Sequence, residues 1–205
     1  DTLRVNAMTC EPVTYQGHTY AVTPIGADCW FAENLRAEAY NDSAAIPSGL
    51  SNMEWLMTEE GASSVLGEGG PDEAANLAAY GRLYNGYTIV EDRLCPVGWH
   101  VSTLDEWTAL VDDLVPPNGL LTNEARWQLP GNRLKSSVAW DGTNSTAFSA
   151  LPGGWRNAAG QFGYGGEGAF FWAQRVEADP GLQIGDYLAS SSSALDAQFG
   201  VMNRG

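Results

Sequence analysis

Residues 95–107, which read Cys-Pro-Val-Gly-Trp-His-Val-Ser-Thr-Leu-Asp-Glu-Trp, constrain the fold more than any other stretch of this chain. Pro96 and Gly98 favour a tight turn, because proline fixes φ at a value found in turns and glycine can adopt the positive φ that many turns need. The alternation of Trp99 and Val101 predicts a short, half-buried strand after that turn. A turn, a strand and a helix start are therefore expected within thirteen positions.

A helix is predicted directly after this strand. Ser102 or Thr103 can cap it, and acidic residues follow in the first turn. Apolar residues continue the helical pattern to Leu114, and the pair Pro116-Pro117 ends it. A second helix is predicted after Asp72-Glu73, where an alanine-rich stretch follows two acidic residues.

Length and composition are those of one folded domain. The chain has 205 residues, 44% of them apolar, which is enough for a sizeable core. It contains no run of about 18 apolar residues, and no basic, apolar leader precedes Asp1. We therefore expect a single domain over residues 1–205, in a secreted or cell-surface protein whose leader has been removed.

The chain is strongly acidic, with 25 acidic and 10 basic residues and a net charge of -15. Such a surface repels a phosphate backbone and an anionic lipid surface, so nucleic acid is excluded as a partner class. Lys135 is the only lysine. That bias is consistent either with genome composition or a salty habitat, or with a surface that gathers divalent cations.

Three regions are predicted along the chain. Residues 1–35 have the pattern of strands, with a hairpin around Gln16-Gly17. Residues 36–79 have the pattern of an insertion rich in glycine and acidic residues. Residues 80–205 carry the core and long Gly-, Ser- and Trp-rich loops. Short strands are predicted within this last region at 147–151, 169–173 and 184–189.

Two of the three cysteines flank the predicted hairpin. Cys10 and Cys29 are expected to form a disulfide that joins two neighbouring strands. Cys95 is then left over, since an odd number of cysteines cannot all pair within one chain.

Several blocks resemble a known bacterial family. Residues 95–107 are similar to its pattern CPxGWHxPTxxEW, and Cys29–Leu35 to its CWMAENL. Further blocks of this kind are Tyr80–Asn85, Leu134–Ser136 with Trp140, Phe148–Asn157 and Phe170–Trp172. Their order along the chain identifies it as a member of the Fibrobacter succinogenes major paralogous domain family, whose proteins are secreted or exposed at the cell surface. The resemblance implies an α+β, C-type lectin-like fold, with two helices packed on small twisted antiparallel sheets.

The same resemblance implies that Cys95 pairs with a cysteine in a final strand, but the sequence ends at residues 203–205 without one. Either the chain is cut short, or the place of that strand is open and accepts a strand from another molecule. Residues 1–6, in which Leu3 and Val5 alternate with polar residues, are the expected donor arm.

Common catalytic signatures are missing from the sequence, among them Gly-x-Ser-x-Gly, phosphate-binding loops and His-Glu-x-x-His. The formylglycine-generating enzymes, which the resemblance places on the same fold, need a reactive cysteine pair late in the domain, and no cysteine follows Cys95. Neither His18 nor His100 has metal-ligand neighbours in sequence. His100 is expected to be structural, with a general-base role as the alternative. We therefore expect no enzyme.

Calcium is the one metal that we consider. Asp141 and Asn144 offer two oxygens around a glycine, which predicts either a calcium site or an ordinary Asx turn. Glu68, Asp72 and Glu73 offer three carboxylates, which predict either a second site or a solvated acidic loop.

A binding face is expected in the last third of the chain, where aromatic residues alternate with glycines. The ligand-contacting residues predicted there are Trp155, Tyr164, Trp172, Gln174, Arg175 and Asn203. Glycosylation is predicted at Asn41, Ser43 and Asn144 from short acceptor motifs.

Two functions of different kinds follow. The first is a non-enzymatic binding or adhesion protein of the cell surface, with a glycan or a surface protein as its ligand. The alternative is a structural subunit of an extracellular fibre or surface layer, joined to copies of itself by strand exchange. An enzyme of the formylglycine-generating type is a third hypothesis.

Overall fold

The computed structural model describes residues 10–89, 92–117, 119–127 and 129–174, and the backbone of 184–189 and 195–196. The side chains of residues 123 and 124 are outside this description. These ranges contain small sheets and short helices, so the fold is α+β, as predicted. No helix in the described ranges is long and apolar enough to cross a membrane.

The strands and helices follow one another along the chain without a long uninterrupted element. The strands are β1 (Val13–Tyr15), β2 (His18–Tyr20), β3 (Val22–Ile25), β4 (Asp28–Phe31), β5 (Ser63–Ser64), β6 (Leu83–Tyr84), β7 (Gly153–Arg156), β8 (Phe162–Gly165), β9 (Gly168–Ala173), β10 (Ile184–Ala189) and β11 (Leu195–Asp196). The helices are α1 (Asn52–Met57), α2 (Glu73–Tyr80), α3 (Gly86–Ile89), α4 (Leu104–Leu114), α5 (Asn123–Trp127) and α6 (Gly131–Leu134).

The predicted N-terminal hairpin is confirmed. Strands β1 and β2 pair in antiparallel register, and Gln16 and Gly17 both have positive φ, at 48° and 79°. Positive φ at both turn positions matches the twist of the flanking strands.

The predicted disulfide between Cys10 and Cys29 is also present. It does not join two neighbouring strands, however, because Cys10 precedes β1 while Cys29 lies in β4, which pairs with β3. The bridge instead ties the segment before the hairpin to the second strand pair.

The largest sheet has the strand order β11-β10-β9-β7-β8. Most of its pairs are antiparallel, but β7 and β9 run parallel, with Gly154 opposite Ala169, so the expectation of purely antiparallel sheets is corrected. The strand predicted at 147–151 does not form. Ala147 and Ser149 have φ near +60°, outside the β region, and only Ala150 makes an isolated bridge, to Lys135.

Helix α4 is the element that the sequence defines best. Thr103 is its N-cap, and Thr103 and Glu106 form a reciprocal capping box. Trp107, Leu110 and Val111 are buried on one face of the helix. They pack in a core with residues from β4, α6, β9 and the loop that carries Phe148.

The strand predicted at Trp99 and Val101 is absent, because no described strand lies beside it. Residues 98–102 adopt no regular structure, and ladder pairing begins only at Thr103, which bridges Gln174. A strand needs a hydrogen-bonded neighbour, and alternation of side chains alone does not provide one.

Candidate functional site

Three aromatic side chains meet on β7, β8 and β9. The ring centroids of Trp155 and Tyr164 are 5.8 Å apart, and both rings contact Phe170, at 6.4 and 5.9 Å. These distances are typical of attractive aromatic pairs. We call the three residues the aromatic face.

Glycine makes room for this cluster. Gly163 lies opposite Trp155 in the β7–β8 register, and a Cβ on Gly163 would come within 2.7 Å of the indole ring. Only a residue without a side chain lets the ring lie there. The alternation of aromatic residues and glycines in the sequence therefore has a steric cause in the structure.

Tyr164 is the most exposed member of the aromatic face, with 49% of its surface accessible. It also has a φ of 58°, which is uncommon for a residue other than glycine, asparagine or aspartate. Such conformations cost on the order of 1–3 kcal/mol and cluster at active sites and ligand-binding sites. The most exposed ring of the aromatic face therefore lies on a strained backbone.

Two other predicted contact residues have structural partners. The indole N–H of Trp172 donates to the carbonyl of Tyr84 at 2.9 Å, and the amide of Gln174 donates to the carbonyl of Ile89 at 2.6 Å. Both side chains thus fasten β9 and the residue after it to the segment 84–89. The remaining predicted contacts, Arg175 and Asn203, lie outside the described residues.

A cavity of about 540 Å³ opens beside the aromatic face, and Phe170 lines both. Its wall includes residues 27–31, 82–84, 98–102 and 169–172. A volume of this size is within the range of ligand sites in proteins. Sequence reasoning did not identify this cavity, although the blocks around Cys29–Leu35 and 95–107 supply much of its wall.

Charged residues also line the cavity. The imidazole of His100 is 2.7 Å from Glu106, which accepts a hydrogen bond from the backbone N–H of Thr103 at 2.7 Å. Partial burial opposes the charge of Glu106, but the hydrogen bonds from Thr103 and His100 together hold the pKa of its carboxyl below the usual range. His100 therefore takes part in the cap of α4, which is consistent with the structural role expected for it.

Glu33 is held ionised in the same way. Burial opposes its charge, whereas the backbone N–H of Ala21 and the ring of His18 lower the pKa of the carboxyl. The cavity thus carries carboxylates that stay charged at neutral pH.

Cys95 lines the cavity and is buried, without a disulfide. Burial, with a smaller contribution from the negative charge of Asp92, raises the pKa of its thiol to about 12. A thiol with so high a pKa stays protonated at neutral pH and is a poor nucleophile.

Three of the five predicted calcium residues bond to other protein groups. Asn144 accepts from the N–H of Ser149 and donates to its hydroxyl, both at 2.8 Å, so its amide closes the loop 144–149. Glu68 pairs with Arg156 at 3.2 Å, and Glu73 accepts from the N–H of Gly69. Neither Asp141 nor Asp72 belongs to a group of three or more metal-ligating His, Cys, Asp or Glu residues, and the described ranges contain no such group. Calcium binding stays a prediction.

The predicted glycosylation residues are on the surface in two of three cases. Asn41 and Ser43 are exposed, whereas Asn144 is half-buried and bonded within its loop. The amide of Asn41 donates to the carbonyl of Cys95 at 3.2 Å, so a glycan there would compete with a tertiary hydrogen bond.

Comparison with known proteins gives one match. A family model described as Fibrobacter succinogenes major domain matches residues 23–189, which is most of the chain and contains the aromatic face and the whole cavity wall. No curated protein and no solved structure matches the chain.

Proposed function

This chain belongs to the Fibrobacter succinogenes major domain family, and on that premise we propose that it is a non-enzymatic binding or adhesion protein. The aromatic face carries the proposal. The exposed ring of Tyr164, on a strained backbone and with the rings of Trp155 and Phe170 beside it at 37° and 73°, offers an aromatic surface against which a sugar or a protein side chain can pack.

Two further properties belong to the proposal. The domain is of the C-type lectin-like kind, a fold that agrees with short helices on small sheets. The protein works outside the cell, since disulfides such as Cys10–Cys29 persist in oxidising compartments and are rare in the cytosol.

The state of Cys95 and His100 supports a function without catalysis. The thiol of Cys95 has its pKa raised to about 12, and His100 is bonded to the helix-capping carboxylate of Glu106. A buried, protonated thiol is a poor nucleophile, and the carboxylate that binds His100 also binds the backbone N–H and the hydroxyl of Thr103, which gives the imidazole a structural partner.

Binding of the full chain to a glycan array, and to proteins of a bacterial surface extract, tests this proposal. The test variant is Tyr164→Asn, because asparagine tolerates positive φ and replaces the phenol ring by a short amide. We expect binding to weaken about three- to tenfold, the effect of one lost aromatic contact. The control is Val138→Ala, at a side chain that is 95% exposed and outside the aromatic face. Equal binding by both variants would remove the aromatic face as the ligand site.

A calcium titration of the full chain belongs to the same experiment. If calcium strengthens binding, Asp141→Asn is expected to reduce that effect. If calcium neither binds nor changes ligand affinity, the calcium prediction is wrong.

The open edge of β4 favours a second candidate function. Within the described ranges β4 has a single neighbour, β3, and it lines a large cavity. An open edge accepts a strand from another molecule. The protein is then a structural subunit of an extracellular fibre or surface layer, and electron microscopy of the native material distinguishes filaments from single particles.

A further inference from the structure

We propose that the cavity lined by β4 and residues 98–102 is the acceptor groove for a β-strand, and that its occupant is the arm formed by residues 2–8 of a second copy of this chain. This inference rests on the strand-exchange function above and deepens it.

The groove exposes backbone groups that lack a partner within the described ranges. Within the part of the chain that the structure describes, the N–H and C=O groups of His100 and Val101 have no hydrogen-bond partner, although both residues line the cavity. The backbone groups on the edge of β4 that faces away from β3 also have no partner strand among the described residues. An extended peptide satisfies such groups with a ladder of hydrogen bonds, which a sugar or a compact apolar ligand does not provide.

Aromatic rings form much of the wall of the groove. Rings from separate segments line it, and those of Phe31 and Trp99 lie 4.5 Å apart between centroids. Apolar walls of this kind receive alternate side chains of a strand, which point to one face every second residue. The occupant must therefore have apolar residues with a period of two.

Residues 2–8 read Thr-Leu-Arg-Val-Asn-Ala-Met and have this pattern, with Leu3, Val5 and Ala7 on one face. In an extended arm, the alternation of side chains assigns Arg4 to the opposite face. The cavity wall contains the carboxylates of Asp28, Glu33 and Glu106 against the cations of Arg82 and, when protonated, His100. An arm with a central arginine thus complements an acidic groove on a chain with a net charge of -15.

The disulfide favours a second copy over the chain's own arm. Cys29 and Phe31 point to the face of β4 opposite Trp30, which is buried in the core. Cys10, the first described residue, is bonded to Cys29 on a face of the strand, whereas the open hydrogen-bonding groups of β4 point sideways in the plane of the sheet. The arm of a neighbouring molecule enters the groove without this constraint.

Substitutions in the arm test the donor without touching the described core. Leu3→Asp/Val5→Asp places two charges on the apolar face of the arm, and Thr2→Asp/Asn6→Asp places the same two charges on the other face. Light scattering after size-exclusion chromatography reports the mass of the full chain over a range of concentrations. We expect the first variant to weaken self-association on the order of a hundredfold or more and the matched control to weaken it much less. Equal effects, or a wild-type chain that stays monomeric, overturn the inference.

Cysteine pairs test the acceptor and separate the two sources of the arm. Val5→Cys is combined with Val101→Cys in a Cys95→Ala background, and Arg4→Cys with Val101→Cys is the control on the opposite face. Under mild oxidation we expect the Val5→Cys pair to give dimers and a ladder on a non-reducing gel, and the control to give few. A disulfide within one chain overturns the second copy as the source, and no disulfide overturns the groove.

The outcomes also separate this inference from the function on which it rests. Filaments or oligomers that persist in Leu3→Asp/Val5→Asp leave assembly intact and reject only this arm and groove. Single particles of the native protein at every concentration reject assembly itself, and the groove assignment with it.

Discussion

The guanidinium carbon of Arg156 lies 4.3 Å from the centre of the Trp55 indole ring, so a residue of β7 stacks on helix α1. Arg156 also pairs with Glu68 at 3.2 Å and donates to the carbonyl of Leu50 at 2.6 Å. Its side chain is only 3% exposed. One arginine thus fastens the segment 50–68, part of the predicted insertion, to the sheet that carries the aromatic face.

We expect Arg156→Ala to lower the free energy of unfolding by about 3–5 kcal/mol, because its loss leaves the mostly buried Glu68 without its cation. Urea unfolding measures this. The control is Arg93→Ala, which removes an exposed pair with Asp42 and is expected to change stability little. Similar losses in the two variants would contradict the role of Arg156.

Gly163→Ala is expected to disturb the aromatic face, because its Cβ would lie 2.7 Å from the ring of Trp155. Overpacking of this kind costs about 1–3 kcal/mol. Unfolding free energy and near-ultraviolet circular dichroism measure the effect. In a Trp155→Phe background the smaller ring leaves room, so the same substitution should cost less; a cost independent of residue 155 refutes the steric explanation.

Glu106 gives stability a dependence on pH. The pKa of its carboxyl is lowered in the folded state, so its stabilisation is present above the ordinary glutamate pKa of about 4.3 and is lost as the pH falls through the lower folded value. We expect Glu106→Gln to be less stable than wild type by about 0.3–1 kcal/mol at neutral pH, since glutamine keeps the cap but not the charge. The difference should shrink in acid, and a constant difference would contradict the assignment.

Cys95 is expected to resist alkylation in the folded protein. Burial raises the pKa of its thiol to about 12, whereas the pKa of a cysteine in an unfolded chain is about 8.5. Iodoacetamide at pH 8 should therefore label Cys95 slowly in buffer and quickly in denaturant. The raised pKa stabilises the fold fully below about pH 8.5 and progressively less as the pH rises toward about 12, so Cys95→Ala should flatten that alkaline loss.

Local features of the chain were predictable because neighbouring residues decide them. Thr103 and Glu106 have the spacing of a capping box, and α4 begins at the next residue after Thr103, within one residue of the prediction. The turn at Gln16-Gly17 was predictable for the same reason, because adjacent residues with positive φ form it. The strand at Trp99 failed because a strand also needs a partner, which local pattern does not supply.

The sequence by itself determined the starts of α2 and α4, the hairpin turn, the disulfide and, through its blocks, the family. Only the tertiary structure brought Arg156 onto Trp55, lined one cavity with β4 and residues 98–102, and spread the aromatic face over three strands. Caps and turns depend on backbone geometry within a few residues. Contacts between segments about a hundred residues apart depend on how the whole core packs, and no single stretch of sequence contains that information.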